Sequence, residues 1–430
     1  MNKGPERAYL VAVESDTQDT MWSVEDSLNE LGALANTAGA EVVGTMIQRL
    51  PHPDASTYVG KGRAHELSDL ERQLEFDLVI FDDELTPTQQ RTLENMLDAR
   101  IVDRTALILD IFAQHARTRE GRLQVELAQL EYRLPRLTGH GAAFSRQAGG
   151  SRSAGGATGS AGGAIGVRGP GETKLEIDRR RIRSRISELK EDIEAVRTQR
   201  QTHRRQRSAQ AIPVVAVVGY TNAGKSTLFN ALTEAEVLAE NKLFATLDPI
   251  TRHVVLPGNQ EALLTDTVGF IQKLPTKLVA AFRATLEEVI DADILLEVVD
   301  VSHENAIEQN ETVNEVLQEL DSDDKPRVTA LNKIDLLDDP SEVDTSLYQN
   351  AVPISALHQT GLEALREKIA QVIAENMVTL RVLIPFDKSD LVELFHRRGY
   401  VEHEEHTEEG TMITGRIARS LRGYYTRYTM

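Results

Sequence analysis

The residues Gly219-Tyr220-Thr221-Asn222-Ala223-Gly224-Lys225-Ser226 carry the spacing G-x-x-x-x-G-K-S. Glycines let a backbone approach an anion closely, and the N–H groups between them converge, so such a loop can cradle a polyphosphate. Lys225 can then reach the β- and γ-phosphates, and the Ser226 hydroxyl can sit on Mg²⁺. The bare pattern also arises as an ordinary Gly-rich turn. Its flanks argue otherwise. Val214 to Val218 is an apolar run that reads as a buried strand, and Thr227 to Leu232 reads as the first turns of a helix. Strand, glycine loop and helix in that order make a phosphate site.

Four further short motifs follow on the same chain. Asp266-Thr267-Val268-Gly269 closes the strand-like run Ala262–Thr265. An aspartate there can hold Mg²⁺ through water, and the Gly269 N–H can meet a γ-phosphate. Thr246, within Phe244-Ala245-Thr246-Leu247-Asp248, lies on the loop after the glycine-loop helix. Its hydroxyl is placed to complete the metal shell when a γ-phosphate is present, which is an order–disorder switch. Asn332-Lys333-Ile334-Asp335 follows another apolar strand. The Asp335 carboxylate can accept from guanine N1 and N2, a donor pair that adenine lacks. Ser355-Ala356-Leu357 follows the next strand and can offer a main-chain N–H to guanine O6. Each motif alone is weak, but the ordered set is specific for a GTP site. Lys225, Thr246 and Gly269 are the candidate catalytic residues, and Ser226 and Thr246 the candidate metal ligands. The position after Gly269 is Phe270, where Ras-type enzymes place a water-orienting glutamine. Slow intrinsic hydrolysis, completed by a partner, is therefore expected.

These motifs need a scaffold, and the chain supplies an α/β rhythm around them. Residues 211–376 read as a P-loop domain with a doubly wound, mostly parallel sheet. Its strands are expected at Val214–Val218, His253–Leu256, Ala262–Thr265, Ile294–Val299, Val328–Leu331 and Val352–Ile354. Its helices are expected at Leu278–Ile290, Glu304–Leu320 and Leu362–Glu375. Residues 1–118 read as a smaller α/β domain with strands at Tyr9–Val13, Val42–Ile47 and Leu78–Phe81. Thr86-Pro87 should open a helix to about Leu97. Tyr58-Val59-Gly60-Lys61-Gly62 could touch an anion, or could simply turn a strand into a helix.

Between them, 119–210 reads as an arm. Leu123, Leu127, Leu130 and Leu134 form one stripe; Ile182, Ile186, Leu189, Ile193 and Val196 form another. Their spacing is that of a coiled-coil seam, expected to close as an antiparallel hairpin. The tip loop, 138–173, is rich in Gly, Ala and Ser. The second helix is basic, with Arg179, Arg180, Arg181, Arg183 and Arg185, then Arg197, Arg200, Arg204, Arg205 and Arg207. Such clustering suits a phosphate backbone, although a solvated helix face also carries charge. Residues 377–430 read as a small α+β domain without a catalytic constellation.

Composition limits the alternatives. At 430 residues, two to four domains are expected. The absence of cysteine removes disulfides and thiolate chemistry. Met1 to Arg7 has no apolar core, so no signal peptide is visible, and no apolar run is long enough to span a membrane. The net charge of −19 speaks against indiscriminate polyanion binding and makes the basic helix stand out. With the two arm helices paired no apolar seam is left over, so a monomer is expected.

Taken together, the chain resembles the HflX family of ribosome-associated GTPases over nearly its whole length. The resemblance rests on Tyr58–Gly62, Asp103-Arg104-Thr105, Asp110–Ala113, Gln124–Leu130, Gly166-Val167-Arg168-Gly169-Pro170-Gly171-Glu172-Thr173, Gly219–Phe229, Phe244–Pro249 and Asp266–Ile271. It implies a cytoplasmic factor that binds the 50S subunit near its catalytic centre, contacts rRNA through the arm, and splits stalled 70S ribosomes under stress, with GTP as the switch. The chain departs from the family in Ser151 to Ala161, which resembles an insertion, and in its ending Tyr424-Tyr425-Thr426-Arg427-Tyr428. A second reading survives Phe270: an RNA-binding or assembly module that holds GTP as a structural ligand. A further purine site around Tyr58–Arg63 has no Walker-type loop to support it.

Overall fold

The computed structural model describes residues 4–15, 22–137, 170–208, 212–233, 243–244, 249–258, 260–273, 283–339 and 343–430. The chain divides into two compact units, Met1–Gln114 with Arg122–Glu194, and His115–Gly121 with Ala195–Met430.

The first unit is built on a parallel sheet ordered β2-β1-β3-β4. Its strands are β1 (Glu6–Ser15), β2 (Ala40–Leu50), β3 (Leu78–Phe81) and β4 (Arg100–Asp103). Helices α1 (Val24–Thr37), α2 (Lys61–Leu74), α3 (Pro87–Glu94) and α4 (Arg104–His115) join or follow them. Ala8 to Val13 is buried throughout, as expected of a parallel strand covered on both faces. Thr86 caps α3 with a reciprocal box to Gln89, and Pro87 opens the helix. The helix stops at Glu94, short of Leu97, because the Met96 and Leu97 N–H groups both turn back to Leu93 O. That turn releases the chain into β4, a four-residue strand too short to show a period. Arg104 lies buried between Asp82 (2.7 Å), Glu30 (2.7 Å) and the Ser27 carbonyl (3.0 Å).

The arm helices are α5 (Arg119–Arg136) and α6 (Pro170–Ser208). Leu123, Leu127 and Leu189 of the two stripes are buried. Arg185 pairs with Glu126 at 2.8 Å and Lys190 with Glu131 at 2.9 Å. Glu126 and Arg185 each precede a residue of the apolar stripes and Glu131 and Lys190 each follow one, so the two pairs lie on opposite flanks of the seam. The last turn of α5 is also tied down. Arg136 donates to Leu85 O at 2.7 Å, to Asp103 at 3.1 Å and to Gln90 at 3.1 Å. Helix α6 begins at Pro170, inside the stretch expected to be loop, with proline at the first helical position. Arg180, Arg181 and Arg183 are exposed. The tip loop up to Gly169 and the side chains of Arg197, Arg200, Arg204, Arg205 and Arg207 lie outside the described residues.

The second unit holds a six-stranded sheet ordered β10-β9-β8-β5-β7-β6. These are β5 (Val214–Gly219), β6 (Ile250–Leu256), β7 (Gln260–Asp266), β8 (Ile294–Asp300), β9 (Arg327–Asn332) and β10 (Val352–Pro353). Only the β6–β7 pair is antiparallel. The strand order reverses direction on either side of β5, so the crevice at its carboxyl end is the natural ligand position. Helices α7 (Lys225–Thr233), α8 (Arg283–Asp291), α9 (Ala306–Glu319) and α10 (Leu362–Glu375) belong to it. The expected helix from Leu278 is described only from Arg283. A second, antiparallel sheet ordered β11-β13-β12 follows, from β11 (Met377–Ile384), β12 (Gly399–Thr407) and β13 (Gly410–Ala418). Helix α11 (Ser389–Arg398) supplies Phe395 to its core, against Tyr425 of the short α12 (Arg422–Tyr425). The fold is multidomain α/β with a mostly parallel P-loop sheet. Among the described residues no helix is long and apolar enough to cross a membrane.

Candidate nucleotide site

The glycine loop leaves β5 at Gly219 and enters α7 at Lys225. Gly224 has φ +97°, and a Cβ there would lie 2.3 Å from Asn332 Nδ2. The loop therefore needs glycine at that point both for its backbone angle and for the closeness of Asn332. Lys225 is buried and donates to the carbonyls of Gly219 (3.1 Å) and Tyr220 (2.6 Å). Burial pulls its ammonium down to about 8, while Asp266 pushes the other way. Thr221 Oγ1 is buried in the loop without a hydrogen-bond partner among the described residues. A buried hydroxyl without a partner can donate to an incoming anion.

The Ser226 hydroxyl donates to Asp266 Oδ2 at 2.9 Å. Asp266 is fully buried at the end of β7, and Thr267 Oγ1 donates to Val217 O at 2.6 Å. A Cβ on Gly269 would lie 2.8 Å from Lys225 Nζ and 2.9 Å from Thr221 Cγ2, so this glycine backbone packs directly on the loop lysine. The donor set suits Mg²⁺, with a hydroxyl and a carboxylate oxygen side by side next to the phosphate cradle. Among the described residues no group of three or more His, Cys, Asp or Glu could hold a metal unaided. Mg²⁺ usually borrows its remaining ligands from phosphate and water.

Asn332 joins the phosphate side to the base side. Its Nδ2 donates to Ala223 O at 2.8 Å, and its Oδ1 accepts from Ala356 N at 2.9 Å. Lys333 stands at φ 67° and donates to Asp300 Oδ2 at 2.6 Å. Asp300, paired in register with Asn332, also accepts from Ser302 N–H and Oγ. The sequence offers no motif that singles Asp300 out; only the β8–β9 register does. Ile334 and Asp335 form a short 3₁₀ turn held by Ile334 N to Ile354 O at 3.3 Å. The Asp335 carboxylate is 19% exposed and lies 3.8 Å from His358 Nε2. Ser355 Oγ accepts from His358 N at 3.1 Å, and Leu357 projects into solvent. Phe244 is buried at φ 57°. Ala245, Thr246, Leu247 and Asp248 lie outside the described residues. Tyr220, Thr221, Asn222, Ala223, Val268 and Gly269 thus gather with Lys225, Ser226 and Asp266 on one side of Asn332, and Lys333, Ile334, Asp335, Ser355, Ala356 and Leu357 on the other.

Four family descriptions match the chain: GTP-binding GTPase N-terminal over residues 25–113, GTP-binding GTPase Middle Region over 115–207, 50S ribosome-binding GTPase over 214–333, and HflX C-terminal domain over 343–420. GTPase HflX of Caldanaerobacter subterraneus subsp. tengcongensis is 47% identical over 417 residues, covering 97% of this chain and 92% of that protein. GTPase HflX of Escherichia coli K12 is 42% identical over 416 residues, covering 95% and 92%. This chain belongs to the HflX family of GTPases. A solved GTP-binding protein from Sulfolobus solfataricus in complex with GDP is 27% identical, covering 86% of this chain and 99% of that one at a TM-score of 0.42. Within the HflX family member described here, Phe270 is 1% exposed, with its side chain in the core. Its main chain pairs with the glycine loop, Phe270 N to Gly219 O at 3.1 Å and Thr221 N to Phe270 O at 2.8 Å.

Proposed function

We propose that the chain binds and hydrolyses GTP on the large ribosomal subunit, in the cytoplasm, and that the triphosphate state governs how its basic helix engages rRNA. In this reading the glycine loop Gly219–Ser226 holds the phosphates, Lys225 neutralises the β,γ-oxygens, and the Gly269 N–H meets the γ-phosphate. Ser226 and Thr246 hold Mg²⁺, with Asp266 behind them through water; when bound, the ion neutralises charge on the β- and γ-oxygens. Asp335 selects guanine, Lys333 and Ala356 flank it, and Phe244 to Asp248 carry the Thr246 switch. The observation that supports the reading most is the Asn332 bridge. One buried amide ties the phosphate loop at Ala223 to the base loop at Ala356, at 2.8 and 2.9 Å. Such a tie is what a site spanning phosphate and purine requires.

The ribosomal part of the proposal draws on the HflX relatives, on the match to a 50S ribosome-binding GTPase over 214–333, and on the exposed Arg180, Arg181 and Arg183. Splitting of stalled 70S particles under stress is the expected outcome. The alternative, GTP as a structural ligand without turnover, is favoured by one observation: Phe270 is buried and offers no hydrogen bond to water. GTP hydrolysis by the purified chain with and without 50S subunits separates the two. The proposal expects slow turnover alone and a rise of at least about a hundredfold with 50S, within the range that partner-completed GTPases reach. No rise at saturating 50S favours the alternative.

A further inference from the structure

The sheet register between β5 and β7 ends at Val217 opposite Asp266, yet the two chains stay stitched beyond it. Thr267 Oγ1 donates to Val217 O at 2.6 Å. Phe270 N donates to Gly219 O at 3.1 Å, and Thr221 N to Phe270 O at 2.8 Å. Last, Gln272 N donates to the Tyr220 hydroxyl at 2.9 Å. The middle two are backbone pairs that many sequences could make. The last depends on one side chain. Tyr220 occupies a variable position of the G-x-x-x-x-G-K-S pattern, and cradling phosphate asks only for its backbone. Tyr220, Phe270, Ile271 and Gln272 are all buried, so the stitch is shielded from competing water. Lys273 then turns away at φ 55°.

Gly269 lies between the Thr267 stitch and the Phe270 pair. Its backbone is pressed against Lys225 Nζ and Thr221. We infer that Tyr220 is a positioning residue for the γ-phosphate: its hydroxyl anchors residues 270–272 and so holds the Gly269 N–H beside Lys225. The inference rests on the GTP reading above and deepens it. A diphosphate does not reach Gly269, so the anchor acts on the triphosphate alone. Preorganisation of this kind acts through the freedom removed before binding.

Tyr220→Phe keeps the ring and its burial while deleting the oxygen. The readout is the affinity of the full chain for a non-hydrolysable GTP analogue relative to GDP, measured with fluorescent nucleotides. The ratio should fall by about three- to tenfold, the worth of one buried hydrogen bond. Thr267→Val, which cuts an earlier stitch, should move the ratio the same way. A ratio equal to wild type in both variants, even with both affinities lowered together, would show that Tyr220 only packs and would overturn the inference. Wild-type chain that bound neither nucleotide would instead overturn the GTP reading on which it stands.

Discussion

Lys225 makes nucleotide binding depend on pH in a way that can be worked out in advance. Burial pulls its ammonium from 10.5 down to about 8. A bound phosphate restores the charged form, so the bound pKa lies above the free one. Binding is therefore strongest below 8 and weakens as pH rises through it, because the neutral amine must first take up a proton. With a free value near 8, affinity should fall about tenfold between pH 7 and pH 9, and at pH 8 binding should take up about half a proton. Calorimetry of GDP binding at pH 8 in two buffers of different ionisation heat reads that uptake directly. Guanine loses its N1 proton only further on the alkaline side, and Asp335 needs that proton, so a base-driven effect would appear as much less uptake at pH 8. Lys225→Arg, which does not titrate in this range, should bind weakly and without uptake. Proton release at pH 8, or uptake that persists in Lys225→Arg, would refute the assignment.

Other outcomes follow from the same geometry. Asn332→Ala removes both ties between phosphate loop and base loop; GDP affinity should fall about ten- to hundredfold, from roughly 1.5–3 kcal/mol of lost hydrogen bonding, as read by nucleotide titration. Arg104→Ala strands Asp82 and Glu30 in the first unit, which should cost about 3–5 kcal/mol in urea unfolding, whereas an apolar triple replacement of Arg104, Asp82 and Glu30 should recover much of it. Phe270→Gln should not raise the intrinsic hydrolysis rate, because the side chain points into the core; burying an amide there should instead lower stability by about 1–3 kcal/mol. A faster intrinsic rate in that variant would mean that residue 270 can reach the γ-phosphate after all.

Much of the site is legible in the sequence because it is local. The glycine loop, Asp266–Gly269, Asn332–Asp335 and Ser355–Leu357 each sit where one strand ends, and an apolar run marks each strand. What the sequence hides is what depends on register. Asp300 matters only because β8 and β9 align it with Asn332. The Tyr220–Gln272 bond joins residues fifty-two positions apart, and no period announces it. The arm shows the same limit. The leucine and isoleucine stripes identify helices with apolar faces, but a heptad seam reads alike for parallel and antiparallel partners. The charge pairs beside the seam, Glu126 with Arg185 and Glu131 with Lys190, emerge only once the two helices are set side by side. Likewise β4 is legible only as the partner of β3, since four residues are too few to carry an alternation.

The central claim is that the guanine nucleotide state sets the grip on the large subunit. Co-sedimentation of the chain with 50S particles measures it most directly, in three arms: no nucleotide, GDP, and a non-hydrolysable GTP analogue. The account predicts that the analogue-loaded chain pellets with 50S at least about tenfold more tightly than the GDP-loaded chain, a coupling of roughly 1.4 kcal/mol or more. Equal affinity in all three arms would contradict it.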